Sequence, residues 1–480
     1  MVTWRAHSPR HLKSRFRPTR YGIGLFMLFP ILLAYTHPAD AQQQPATDIN
    51  HLSHTHHYTP LHIQTVTSPT KEDVQNTVFY DDDETKIALF HYRPQISFKA
   101  TDLTLAVGMY LDYDFIGNLH TSAPQGQNRG IFPDFANHLR YLRFPIVLSW
   151  QKDYYGVFTP DFSPYAANLN HIYEANFNYT GFKNTHLVIG IYKPVFTLED
   201  SNSYTVFDAI ERPAIVDAFR SIAAANGRLA VGGENWHDLW SLSAYLSGPT
   251  TGRHTSDFTR SQFGGAARFT LHPVSTKTLD LHLGMDATFA LHGEGENYAL
   301  SSIPELTINS TRLVGTGRLN NATNIWGINP ELGFRYDNLL LKSEYSVITI
   351  NREPNGTAST APLHVQGWYI VGSYTLLGNP RYYNNRLGNF SPPKASFHPE
   401  SYNWGALEWV GRWSVIDYNT GGIQGGRQTA WVTGLNWYPT PFTRVSLQYN
   451  HILSASSLTQ TASRYGRHAD FIAARLQMNF

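Results

Sequence analysis

Six arginines, Arg143, Arg268, Arg335, Arg412, Arg444 and Arg475, and with them Lys342, fall in alternating stretches on the side opposite the apolar one. A guanidinium stays charged at all accessible pH values and offers a donor fork that fits phosphate or carboxylate oxygens. A column of such groups facing water would attract and pass anions. The same side also carries Asp112, Asp114, Glu331, Glu344 and Glu408, so the arginines could equally pair with these acids and hold a wall in shape. Four further cations, Lys193, Arg212, Arg220 and Arg228, lie in or beside the unpatterned stretch 195–226, which also holds Glu199, Asp200, Asp208, Glu211 and Asp217. A loop of this length is uncommon unless it is functional. Folded inward, it makes these four cations candidates for a constriction; folded outward, it would pack on a neighbouring subunit.

Other chemistries find little support. With no cysteine, the chain has no disulfide, thiolate metal site or cysteine nucleophile. Neither a G-x-S-x-G elbow nor an H-E-x-x-H motif occurs, and pairs such as Glu234 with His237 fit chance in a chain with 22 His. No enzyme, metal centre or cofactor is expected. In the cluster His51, His54, His56, His57 and His62, the spacing of His54, His56 and His57 suits a loose surface metal site, yet the cluster sits in a polar stretch with no scaffold to fix ligands. The acidic run Asp81 to Glu84 lacks the spacing and glycine of a calcium loop.

The 480 residues carry 37 basic and 36 acidic side chains, a balance that gives no pointer to nucleic acid. Only 15% of residues are charged and mean hydropathy is -0.32, which excludes most polytopic helical membrane proteins. The first 20 residues hold Arg5, Arg10, Lys13, Arg15, Arg17 and Arg20 and no acid, and 21–34 is apolar and too short for a stable anchor. Ala39 and Ala41 supply the small residues of a cleavage site, so 1–41 reads as a signal peptide. A polar, His-rich extension follows over 42–86.

From about Ile87 to Phe480 the pattern has period two, in stretches of about ten residues between polar, Gly-rich or Pro-rich connections, which predicts strands. Sixteen segments qualify: 102–116, 137–149, 152–162, 170–180, 184–194, 228–236, 239–247, 262–271, 279–291, 325–336, 339–350, 363–377, 401–418, 428–438, 442–453 and 469–480. A seventeenth near 88–98 could instead be a lead-in. A soluble sandwich or propeller and a membrane barrel both absorb this many strands. The export signal, the strand length and aromatics at strand ends, including Trp150, Trp240, Trp404, Trp431 and Trp437, favour an all-β transmembrane antiparallel β-barrel over 87–480, in the bacterial outer membrane. The amphipathic last strand ending in Phe480 resembles the signature that the barrel assembly machinery reads.

Several segments resemble the phosphate-selective porin O and P family. Leu139-Arg140-Tyr141-Leu142-Arg143-Phe144 is similar to the family's F-R-R-x-R-L strand, and 188–199 to its V-G-R-F-K-P-P-F-G-L-E motif. Glu211-Arg212, 226–232, 367–374 and the stretch Asn384 to Gly388 follow in order. The glycine-rich 421–428 and then Gly434-Leu435-Asn436-Trp437-Tyr438 make the most specific match. The resemblance implies a sixteen-stranded barrel, usually a homotrimer, with a third loop folded inward and arginines guiding phosphate or other small anions. Tyr141, Ile191 and the run Ala223-Ala224-Ala225-Asn226 depart from the family's pattern and thin the lumen charge. The expected function is passive anion diffusion across the outer membrane, with phosphate or polyphosphate as candidate solutes; a general or sugar-preferring porin is the alternative.

Overall fold

A computed structural model describes residues 77–90, 93–121, 132–164, 171–250, 263–291, 298–308, 312–356, 358–456 and 468–480. The expected signal peptide and the histidine cluster lie outside them. Among the described residues no helix is long and apolar enough to cross a membrane, which leaves strands untouched by the criterion.

The fold is all-β and mostly strand. Leu103–Val107 and Tyr110–Thr121 follow one another and pair with Ile146–Trp150 and Phe135–Arg143. From Ile146–Trp150 onward the main strands pair antiparallel, each with the next, through Tyr154–Pro160, Ile172–Tyr179, Thr185–Ile191, Arg228–Trp236 and Trp240–Thr250. Phe263–Ser275, Leu279–Leu291, Ala322–Tyr336, Leu339–Arg352 and Leu363–Leu377 continue the series. Ala406–Thr420, Ile423–Thr440, Thr443–Ser456 and Ala469–Asn479 complete it. The last of these returns to pair with Tyr110–Thr121. Every segment expected to be extended contains one or two of these strands.

Burial along a strand is inverted relative to a soluble sheet. In Leu339–Arg352, Lys342, Glu344 and Ser346 are buried, whereas Leu341 and Tyr345 are 37% and 42% exposed. The apolar side faces outward as an oily solvent requires, and the polar side is covered from within. Three connections do the covering: 192–227, 298–321 and 378–395. The first contains helix Ala214–Ser221, which opens after Pro213, carries Asp217 in its first turn and Arg220 in its last, and buries Ile215, Val216 and Phe219. The wall admits this helix where its inner positions are glycine. A Cβ at Gly367 would lie 2.9 Å from Ile215, and one at Gly327 would lie 2.7 Å from Phe219.

Two boundaries differ from expectation. Strand begins at Thr77, inside the stretch read as an extension: Thr77–Asp81, Thr85–Phe90 and Arg93–Phe98 form consecutive hairpins, and the third pairs with Leu103–Val107. The acidic run makes the first turn, where Asp82 accepts hydrogen bonds from the backbone N–H of Glu84 and Thr85. The glycine-rich motif 421–428 is mostly strand, because Gly421 and Gly422, with φ of 55° and 84°, suffice for the turn.

Candidate functional site

A loop folded against the inner face buries its backbone carbonyls, and each needs a donor. The wall supplies them from the positions singled out in the sequence. Arg444 Nη1 donates to the carbonyl of Phe207 (2.6 Å), Arg475 Nη1 to that of Ile210 (2.7 Å) and Arg412 Nη1 to that of Glu211 (2.6 Å). Asn436 donates to the Asp208 carbonyl, and Gln448 accepts from the Ile210 N–H. Residues 207–211 are thus a strap laced to four strands. A guanidinium suits the task because it has five donors, enough to hold a carbonyl and a carboxylate together.

The carboxylates of the same loop meet cations in groups. Glu211 accepts from Arg140 (2.7 and 3.3 Å) and from Arg475 (2.9 Å). Asp208 lies 2.5 Å from Lys342 and 3.2 Å from Arg381, and Glu199 accepts from Lys342 at 2.8 Å. Asp200 binds Arg220 (2.7 Å) and Arg212 (3.1 Å), with Lys193 3.4 Å away. Lys193 also donates to the carbonyls of Asp200 and Asn202, and Arg228 to those of Gly248 and Ser221.

A second of these covering connections, 378–395, is held in the same manner. Arg268 grips Glu331 with two hydrogen bonds (2.8 and 2.9 Å) and donates to the carbonyls of Leu387 and Gly388. Arg381 forks onto Glu408, and Arg386 reaches Glu234 at 2.9 Å. Asn389 donates to the carbonyl of Leu198, tying the two connections together. In the third, 298–321, Glu305 accepts from the Ala214 N–H at the start of the helix, from Ser414 and from Arg412. A carboxylate there offsets the helix dipole, which Pro213 cannot cap.

The remaining sequence candidates sit at the margins. Arg143 donates to Asp161 and stacks on Tyr141 and Tyr173; Arg335 holds Asp280 and carbonyls of the turn at Thr276 and Lys277. Arg143, Arg268, Arg335, Lys342, Arg412, Arg444 and Arg475 are all buried, so the structure brings them to one inner face but joins them to the chain's own oxygens. Arg381, buried, and Arg140 and Arg386, half-buried, join this set although the sequence pattern assigned them no role. The signal for Arg381 and Arg386 is the length of their connection, which the sequence shows only in part. Asp286, Glu331 and Glu344 place one oxygen each within 4.8 Å of one another. Each is already engaged, by the Thr197 N–H, by Arg268 and by the Glu199 N–H respectively.

Electrostatics in the loop follow from this crowding. Burial alone would raise the Asp200 carboxyl, but Arg220, Lys193 and Arg212 outweigh it and hold it below its ordinary value. Arg140 and Arg475 overcome burial in the same way at Glu211, and Lys342 and Arg381 do so at Asp208. Burial pushes Lys193 down to about 8, with Asp200 restoring part of its charge. A carboxylate with a lowered value stabilises the fold above its unfolded value, near 4, and that contribution is lost as pH falls through the folded one. Lys193 has the same sense in a higher window, since its folded value is also lowered and the folded chain gains as pH rises from about 8 toward 10.5. The strap is therefore expected to loosen only below about pH 4, read as increased cleavage of 192–227 by an acid-active protease in detergent. Cleavage that is flat down to pH 2 would remove these pairs as its fastening.

A family model described as phosphate-selective porin O and P matches residues 121–480. The chain belongs to that family. This porin is 26% identical over 277 residues to an uncharacterized protein of Caulobacter vibrioides, covering 55% of this chain and 52% of that protein. It therefore spans about half the length of the curated relative it matches. Among solved structures, the outer membrane channel DcaP of Acinetobacter baumannii is similar with a TM-score of 0.46 at 9% identity, covering 80% of this chain and 99% of that one. An anion-selective porin from Comamonas acidovorans gives 0.44 at 10% identity, with 79% and 100% covered. OmpT of Vibrio cholerae gives 0.46 at 11% identity, with 79% and 98% covered. Membership supports an outer-membrane channel rather than an enzyme.

Proposed function

We propose that this porin is a passive channel for small anions, phosphate or polyphosphate among them. In this reading a signal peptide, 1–41, is removed on export, and the barrel assembly machinery inserts the chain. The wall closes as sixteen strands around an arginine-lined lumen narrowed by 195–226, and three copies associate. The pairing of Ala469–Asn479 with Tyr110–Thr121 supports closure.

The observation that carries the anion reading is the set of loop carboxylates, Asp200, Asp208 and Glu211, each held by two or three cations. A carboxylate and a phosphate offer a guanidinium the same pair of oxygens. These are oxyanion positions filled by the chain's own acids, and a soluble anion competes for them. The loop cations Lys193, Arg212, Arg220 and Arg228 would meet the solute with the wall arginines. A second reading, a general or sugar-preferring porin, is favoured by the further acids that the same cations hold, Glu199, Asp217, Asp114 and Glu408, which leave little net field.

Single-channel conductance in chloride with graded phosphate separates the two. Saturating current with block of chloride by phosphate is expected. Linear, weakly selective current, or block by sugars instead, would replace the first reading with the second, and no current would overturn both.

A further inference from the structure

The connection 378–405 joins Leu363–Leu377 to Ala406–Thr420 and divides its residues between the two faces of the wall. Its first half, the hairpin of Tyr382–Asn384 with Asn389–Ser391, lies on the covered inner face. Its second half, Phe397–His398 paired with Asn403–Trp404, lies on the other side. The register fixes this: Trp437 pairs with Leu407 and Val445 on the outward parity, and Trp437 Nε1 donates to the Trp404 carbonyl at 2.8 Å. Phe397 packs edge-on against both Trp404 and Trp437, with ring centroids 5.9 and 6.3 Å apart.

The outer hairpin is amphipathic in a particular sense. Tyr402 is 87% exposed and Trp404 50%, while His398 and Glu400 are exposed and hydrogen-bonded to one another beside them. Tyrosine and tryptophan combine an apolar ring with a polar tip, and they concentrate where hydrocarbon gives way to headgroups. The wall next to the hairpin is apolar and outward-facing, at Leu377, Trp409 and Leu435. The hairpin continues that surface beyond the last strand residues.

We propose that Phe397–Trp404 is a lipid-binding foot that seats in the phospholipid headgroup layer at the short-turn end of the wall. This rests on the outer-membrane reading. A foot outside and a hairpin inside, on one chain segment, let the bilayer hold Arg381 and Arg386 in place from behind. The occupant is lipid rather than a second copy because the outward apolar positions Leu377, Trp409 and Leu435 run on into the hairpin, whose polar groups lie together at its tip, as a hydrocarbon-to-headgroup boundary requires.

The absence of cysteine allows a clean test. Tyr402→Cys and, separately, Leu435→Cys are labelled with an environment-sensitive dye in the full-length protein. Each is reconstituted in phosphatidylethanolamine and phosphatidylglycerol vesicles with spin-labelled lipid. At position 402, quenching by a label near the headgroup is expected to exceed quenching by one near the bilayer centre about twofold or more, and the ratio is lower at position 435, which lies deeper on the outward face than Trp437. Quenching at 435 but not at 402, or cross-linking between copies through 402, would overturn the foot alone. No quenching at either position would instead overturn the membrane placement of the wall.

Discussion

Glu211→Gln should raise anion over cation permeability on the order of tenfold, measured as a shift in reversal potential across a salt gradient. Arg140 reaches Glu211 with two hydrogen bonds, whereas Arg475, which also touches Glu211, keeps a second carboxylate in Asp114. Removing the charge therefore releases chiefly Arg140, whose side chain is only 13% exposed, and an unpaired cation so placed draws an available anion strongly. The strap itself should stay, because Arg412 and Arg475 hold backbone carbonyls that the substitution leaves alone. Arg140→Ala leaves Glu211 with one partner fewer, and permeability should move the other way. Reversal potentials that stay put in both variants would mean that the permeating path avoids this part of the loop.

Arg268→Ala should destabilise the protein by roughly 3–5 kcal/mol, the usual result of removing one partner from a buried ion pair. The effect has two sources. Glu331 loses its bidentate partner while Asp286 and Glu344 stand close by, so three carboxylates crowd with one cation fewer. The carbonyls of Leu387 and Gly388 lose their donor at the same time, which frees the inner hairpin. Denaturant titration in detergent reads the first source, and limited proteolysis near 382–391 reads the second. Arg268→Lys should recover part of the charge but not the fork. A midpoint for the alanine variant within error of the parent would sink this account.

The extended segments were legible because lipid on one side and polar cover on the other impose a strict period of two over about ten residues. Arg268, Lys342, Arg412, Arg444 and Arg475 were legible as facing away from the apolar side for the same reason. What they bind was not. A donor for the Ile210 carbonyl can stand on any strand that reaches it, and the 265 residues separating Arg475 from Ile210 leave no local trace. Chain length marked 195–226 as unusual, but nothing in its composition announced helix Ala214–Ser221, whose sides match glycines on two distant strands. The connection 378–405 reads as shorter in the sequence because the alternation of 401–418 begins ahead of strand Ala406–Thr420.

Arg475 also bears on how the molecule comes to exist. Its guanidinium holds Asp114 across 361 residues of sequence and touches Ile210 and Glu211 midway. Until the final strand meets the first long one, Asp114 and the strap both lack this partner, and contacts so far apart in the chain are the slowest to form. Joining the two edges and locking the strap are thus a single late event in biogenesis. A chain stalled before it would present uncompensated acid groups along its open seam.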